Sequence, residues 1–400
     1  MSNETIDTAL YWILPGPRAL LTRVADAALI SRVLWINLPY KPVRGTWEKI
    51  KEGLRSANIA IPIDLTIRAG TDIAAEIGVH VHERRVTAAQ LAMHAAQQKT
   101  AVILRAEDSL AKKECDAYAS EFMTGLSTVG QQGNMQLVIS GHDEALKNDA
   151  HDNGLQVIAF DGALTFDEID AYVAIRMLDS PGPGSTRLLR RIVSEFAGFD
   201  VEMAERLMAM PEPKLLLINE NLTELMGEDV DRWRHQSWLH RTMTSDSPEA
   251  THVLWDMFKT LHGSPIEADD AQNRIKKRYW RACVRTITPW LEERRSSVIG
   301  CFSSQLKVIA ANHGGKFPRP RSDGGTTYMG NEELEFNNIV GMVRNRSLNP
   351  VTAREEHAFK ICKLAKTVRD DLAHLRMPNP QILSQLVAEM DSAFPNFGNA

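Results

Sequence analysis

The chain has 400 residues, 44% of them hydrophobic and 24% charged, with a formal net charge of -5. That length allows two or three domains with sizeable cores, and the acidic balance excludes a globally basic nucleic-acid binder, so any basic surface has to be local. Cys115, Cys283, Cys301 and Cys362 are scattered without a CxxC pair, and the start MSNETIDTAL has neither a basic nor an apolar signal region. Neither a disulfide framework, a zinc ribbon nor a signal peptide is expected, and no apolar run approaches the ~20 residues of a membrane span. The expectation is a soluble cytoplasmic protein.

In chain order, YWIL (Tyr11–Leu14) is a short apolar run, followed by the loop PGPR and the helical pattern ALLTRVADAAL. RVLWINLP (Arg32–Pro39), IPIDLTI (Ile61–Ile67), TAVILRAED (Thr100–Asp108), MQLVIS and LQVIAFDG read as strands, with TAAQLAMHAAQQ and AKKECDAYASEFMTGLS as helices between them. Strands alternating with amphipathic helices predict βαβ units, and strands apolar on both faces predict a mostly parallel sheet covered on both sides. This α/β domain is expected over residues 1–162.

The pattern changes after Gly162. Thr165 with Glu168 three residues on is a capping-box signature, and DSPGPGS (Asp179–Ser185) reads as a breaker-rich linker. Helical patterns then predict a bundle over 163–247 and an all-α region over 248–400. In that last region the segment from Ala271 to Gly314 reads as one long helix or two, with Pro289 as a kink or break. The loop GGKFPRPRSDGGTTYMGN carries Lys316, Arg319 and Arg321.

A strand, a glycine loop and a helix near the start is where a phosphate cradle of the form GxxxxGK[ST] would sit. LPGPRALLTR offers Gly16 and the cation Arg18, but has no Lys and two prolines without N–H donors. AVILRAED leads four apolar residues towards the carboxylates Glu107 and Asp108, as a Walker B strand does. The element order over roughly residues 10–240 resembles AAA+ and STAND ATPases, with the phosphate-binding motif degenerate. That resemblance implies an ATP site built from Gly16, Arg18, Glu107 and Asp108, or a scaffold that has become a sensor or partner-binding module. GPGSTR (Gly182–Arg187) lacks the Lys and reads as linker.

The segment KTVRDDLAHLRMPNP (Lys366–Pro380) reads as a helix ended by prolines. Arg369 and His374 are about 140° apart on a helix, whereas Asp370 and His374 share a face. Asp370 can orient an imidazole, His374 can move a proton near neutral pH, and Arg369 can hold a phosphate. Metal-free RNA cleavage needs such a base and such a cation. VRDDLAHLRMP resembles the Arg-polar-x-x-x-His motif of HEPN domains, and the helices before it resemble their helix order over roughly Pro248 to Phe394. The resemblance implies a dimeric endoribonuclease with Arg369, Asp370 and His374 as its site and RNA as substrate, acting without metal, often in anti-phage or toxin-like systems. It equally allows a non-catalytic member that serves dimerisation or assembly with a protein partner. The residues alone also allow a charged helix end.

Other features have two readings each. His80 and His82 in HVHERR would share a strand face, as some metal sites need, or form a solvated strand end. His142, Asp143 and His151 have the composition of a surface loop. Arg234 to His240 is a rival Arg…His pair, six residues apart where Arg369 and His374 are five. Trp233, Trp238 and Trp255 near DRWRHQSWLHR can stack on bases or anchor helix packing. RIKKRYWR (Arg274–Arg281) is the best candidate for an RNA-backbone contact, or a solvated helix face.

Overall fold

The computed structural model describes residues 6–39, 42–94, 98–129, 134–141, 150–152, 155–178, 183–227, 230–234, 236–237, 251–320 and 326–394. They fall into two compact units. One holds Met1–Tyr172, Gly198–Glu205 and Gly227–Trp255; the other holds Val173–Ala197, Arg206–Met226 and Asp256–Ala400. Residues 163–247 are thus divided between the two.

The first stretch runs α1 (Thr8–Ile13), α2 (Pro15–Ile30), β1 (Val33–Asn37), α3 (Thr46–Ser56), β2 (Ala60–Ile67), α4 (Ile73–Val81), α5 (Ala88–Met93), β3 (Thr100–Ala106), α6 (Ser109–Val129), β4 (Met135–Gly141), β5 (Ala150–Asp152), β6 (Leu155–Ala159) and α7 (Phe166–Arg176). The strands form one sheet in the order β2-β3-β4-β1-β6-β5. The pairings from β2 to β6 are parallel, and β5 adds an antiparallel edge. Every residue of β1 is buried. Val33, Trp35, Val102, Leu104, Leu137 and Ile139 face Ile77, Leu91, Tyr118 and Phe122 of α4, α5 and α6. Alternate strand residues such as Leu34, Ile36, Ile103 and Val138 are also buried, with α2 and α3 supplying Leu20, Val24, Ile50 and Leu54 to the core. Helices on both faces explain why these strands read as continuous apolar runs.

YWIL is the exception to the strand reading. Tyr11–Ile13 lie in α1 and Leu14 is its C-cap; the start of α1 is capped by Asp7 accepting from Leu10 N at 3.0 Å. The PGPR that follows is the first turn of α2 rather than a loop, because proline's missing N–H is tolerated there. The same rule starts the next helix at Pro183, inside the stretch read as linker.

The chain continues as α8 (Pro183–Ala197), α9 (Val201–Met208), α10 (Glu212–Leu216), α11 (Ile218–Asn221), α12 (Val253–His262), α13 (Pro265–Gly300) and α14 (Ser303–Ala311). A two-stranded hairpin, β7 (Phe317–Pro320) and β8 (Thr326–Met329), leads to α15 (Phe336–Arg344), α16 (Ala353–Ala373) and α17 (Pro380–Ala393). The segment from Ala271 to Gly314 holds two helices, α13 and α14, but they part at Cys301–Phe302 and not at Pro289, which lies inside the 36-residue α13. In the second unit α13 packs on α8 and α16, and α16 on α15 and α17. No described helix is long and apolar enough to cross a membrane.

A reciprocal capping box opens α16. Glu355 accepts from the backbone N–H groups of Thr352 at 2.9 Å and Val351 at 3.0 Å and from Gln305 Nε2 at 2.8 Å. The Thr352 and Val351 amides and the Gln305 side chain hold its carboxyl far below the ordinary 4.5, at about 2. A carboxyl depressed on folding stabilises the native state above its unfolded pKa, and that contribution disappears as pH falls. Replacing Glu355 by Gln should therefore cost stability at pH 7 and flatten the loss of stability between about pH 4.5 and pH 2, measured by urea unfolding across that range.

Candidate functional site

The end of α16 carries Arg369, Asp370 and His374. The helix is set by an apolar stripe, Ala358, Ile361, Cys362, Ala365, Val368 and Leu372, all buried at helical spacing. Its last turn closes as a Schellman motif: Arg376 N–H donates to Asp371 O at 2.8 Å and Leu375 N–H to Leu372 O at 3.2 Å. Trp280 Nε1 of α13 donates to the same Leu372 carbonyl at 3.0 Å. Leu375 takes the left-handed conformation usual for glycine (φ 56°), with its side chain 74% exposed.

His374 is the cap residue itself, and its side chain is exposed. Asp370 does not orient it. The Asp370 carboxylate is 2.5 Å from Lys366 Nζ, an i,i+4 partner on its own helix. Asp371 lies 3.3 Å from Arg376. Arg369 sits between two carboxylates, with Nη1 on Glu335 Oε2 and Nη2 3.3 Å from Glu292 Oε1. The second oxygen of each carboxylate faces Arg295: Glu335 Oε1 is 3.6 Å from Nη1 and Glu292 Oε2 is 3.1 Å from Nε. The four side chains form a closed ring of alternating charge. Sequence reading missed Arg295, Glu292 and Glu335, since nothing in their local sequence pairs them with Arg369.

The nucleotide candidates are dispersed, and Gly16, Glu107 and Asp108 are already engaged. Gly16 lies in the first turn of α2, ahead of the sheet. Its N–H donates at 2.5 Å to the buried Glu168 carboxylate, which also accepts from Thr165 N and Thr165 Oγ1 at 2.8 Å. One side chain thus completes the capping box of α7 and fills the place where a phosphate would meet α2. A Cβ on Gly16 would come 3.1 Å from Glu168 Oε1. Arg18 is an exposed residue of α2. Glu107 pairs with Arg68 at 2.7 Å. Asp108 caps α6, accepting from Leu110 N at 2.8 Å and Ala111 N at 2.7 Å, bonds that pull its carboxyl below its usual range. The strand–loop–helix that enters the sheet is β1–α3, where Gly45 (φ 85°) precedes α3. The sequence reading placed that unit one element too early, because YWIL has no period to separate helix from strand.

The basic run of α13 faces inward. Arg281 Nε and Arg285 Nη1 each donate at 2.8 Å to Glu195 of α8, whose carboxylate is 3% exposed. Arg278 Nη1 donates to the Glu195 carbonyl at 2.8 Å, and Arg274 Nε to Asp256 Oδ1 at 2.8 Å. Tyr279 is buried with its hydroxyl on Leu216 O at 3.0 Å. Only Lys276 and Lys277 of this run are exposed. The arginines of RIKKRYWR therefore belong to an ion network within the chain.

His80 is in α4 and His82 is its left-handed cap residue (φ 60°), so they share no strand face. No group of three potential metal ligands occurs among the described residues. Trp233 is buried and lies parallel to the His252 ring, 6.3 Å between centroids. His252 Nδ1 accepts from Leu254 N–H at 3.2 Å, so Nε2 carries the proton that faces Asp200 Oδ2 at 3.0 Å. Burial raises the Asp200 carboxyl, but the His252 hydrogen bond and the nearby Arg232 charge more than offset it and hold it below its usual range. Trp255 is half-buried and His151 lies in β5. Trp238, His240, His142 and Asp143 lie outside the described residues.

No protein-family model matches the chain, and no curated protein matches it.

Glu195→Ala should destabilise the protein by about 1.5–3 kcal/mol, because Arg281 and Arg285 lose the carboxylate that ties α13 to α8, whereas Arg278 keeps the Glu195 carbonyl and Asp256. Lys276→Ala with Lys277→Ala should change stability by less than about 1 kcal/mol. Chemical denaturation of the two variants tests the inward-facing assignment directly.

Proposed function

We propose that the α13–α17 region is a metal-independent endoribonuclease module of HEPN type, active as a homodimer, and that the α/β unit is a regulatory, partner-sensing module. The observation that carries this reading is the end of α16. It presents an exposed imidazole, His374, one turn from a guanidinium, Arg369, on a helix terminus fixed by its own hydrogen bonds and by Trp280. The helices α13, α15 and α16 carry the segments in which the sequence resembles HEPN domains.

In this reading His374 takes the proton of a ribose 2′-OH. The 2′-oxygen then attacks the adjacent phosphorus and the bond from phosphorus to the 5′-oxygen breaks. Arg369 balances the charge that builds on the phosphoryl oxygens. The partner subunit's His374, protonated, returns a proton to the leaving 5′-oxygen, and a 2′,3′-cyclic phosphate remains. Asp370, held by Lys366, contributes no orienting bond within the chain, so imidazole alignment falls to the dimer interface. A role in bacterial anti-phage defence or a toxin-like system fits such an activity.

A second reading is a non-catalytic assembly module. The observation favouring it is that Arg369 is neutralised by Glu292 and Glu335 of its own chain. A nucleotide switch is not proposed, because Gly16, Glu107 and Asp108 are each spent on internal bonds.

Expression of the protein, Arg369→Ala and His374→Ala in a bacterial host separates the two. The nuclease reading expects growth arrest and RNA cleavage, under phage challenge if not before, and loss of both by at least a hundredfold in either folded variant. Equal behaviour of all three without RNA cleavage supports the assembly reading. Sedimentation of the purified protein should show a dimer.

A further inference from the structure

The ring formed by Arg369, Glu292, Arg295 and Glu335 has no net charge, and each carboxylate spans both guanidinium groups with one oxygen apiece. Two oxygens bridging two arginines is also how a phosphate group would sit there. The ring is not a core feature. Its side chains are between 24% and 40% exposed, so an incoming anion can reach it. In its closed state, however, a phosphodiester meets two carboxylates as well as two arginines and gains little.

Glu335 is the member best placed to leave. It precedes α15, directly after the β7–β8 hairpin and the turn at Asn331–Glu333. Arg295 Nη1 holds that turn through the carbonyls of Glu332 at 3.1 Å and Leu334 at 3.0 Å. Buried Leu334 and Phe336 fix the backbone on either side of it, so Glu335 leaves both arginines by rotation of its own partly exposed side chain. Arg295 and Glu292, by contrast, sit one turn apart on the continuous helix α13 and stay in place.

We infer that Arg295 is a second phosphate-binding residue beside Arg369, and that Glu335 is an internal anion which occupies the pair until a phosphodiester of RNA replaces it. This rests on the ribonuclease reading for its biological sense, but it makes a separate claim about anion affinity. Removing the Glu335 charge leaves the ring at net +1 and should strengthen phosphate binding roughly tenfold, the scale on which a unit charge a few ångström away acts when the pair is exposed to a water-like dielectric.

The test uses full-length protein and a fluorescent 2′-O-methyl RNA oligonucleotide, which binds but cannot be cleaved. Glu335→Gln should bind it roughly tenfold more tightly than the unaltered chain. Adding Arg295→Ala or Arg369→Ala to Glu335→Gln should abolish that gain, and unmodified RNA should be cut faster by Glu335→Gln. If Glu335→Gln melts below the assay temperature, Glu292→Gln, on the other side of the ring, carries the same expectation. Unchanged affinity, or a gain that survives Arg295→Ala, overturns the inference. Tighter binding with no cleavage by any variant keeps the gated arginine pair and removes the nuclease. Arg369-dependent cleavage with unchanged binding in Glu335→Gln does the reverse.

Discussion

The second unit depends on Glu195. Helix α13 carries Arg274, Arg278, Arg281 and Arg285 at the spacing that normally holds an apolar stripe, and three of them converge on this one residue of α8. Arg278 is buried and Arg274 and Arg281 are mostly covered, and such guanidinium groups would keep the helix in water if they met only apolar neighbours. The Glu195 carboxylate and carbonyl, with Asp256, give them partners. The carbonyl also belongs to the last turn of α8, where the helix dipole favours cations. Once α13 is docked, Tyr279 reaches Leu216 and Trp280 reaches the last turn of α16. The ordered end of α16, and with it the candidate site, follows from that docking.

Charge neutralisation within the chain recurs at each place where the sequence suggests an anion ligand. Glu168 fills the start of α2, Glu195 and Asp256 fill the arginine row, and Glu292 with Glu335 fill the Arg369 ring. The three differ in depth. Glu168 and Glu195 are buried carboxylates that tie one helix to another, α7 to α2 and α8 to α13, which makes them architectural. The Arg369 ring is open to solvent on one side, where ion pairs exchange partners readily. That difference is why only the last of the three is read as functional.

The sheet was legible because β1, β2, β3, β4 and β6 are β-branched or continuously apolar runs bounded by helices. α1 was not, because a four-residue run such as YWIL satisfies both periods and only the Asp7 cap decides it. Thr165 and Glu168 were legible as a capping box, but not the third bond from Gly16, far off in the chain. The terminal motif was legible as residue types at a spacing. Its electrostatic state was not, because Glu335 and Arg369 meet only through the packing of α15 on α16. RIKKRYWR was legible as a basic run on a helix, but nothing in it says whether its arginines look at water or at Glu195.

The arginine row also bears on how the region could be studied in isolation. A fragment beginning near residue 248 includes every helix that resembles a HEPN domain and looks like a natural piece to excise. It omits α8 and therefore Glu195. Such a fragment would take the Glu195 carboxylate away from Arg281 and Arg285, although Arg274 and Arg278 would keep Asp256, and would leave α13 more cationic than it is in the intact chain. It would bind RNA by counterion release whatever the intact protein does. Affinity measured on it would describe the cut, not the molecule.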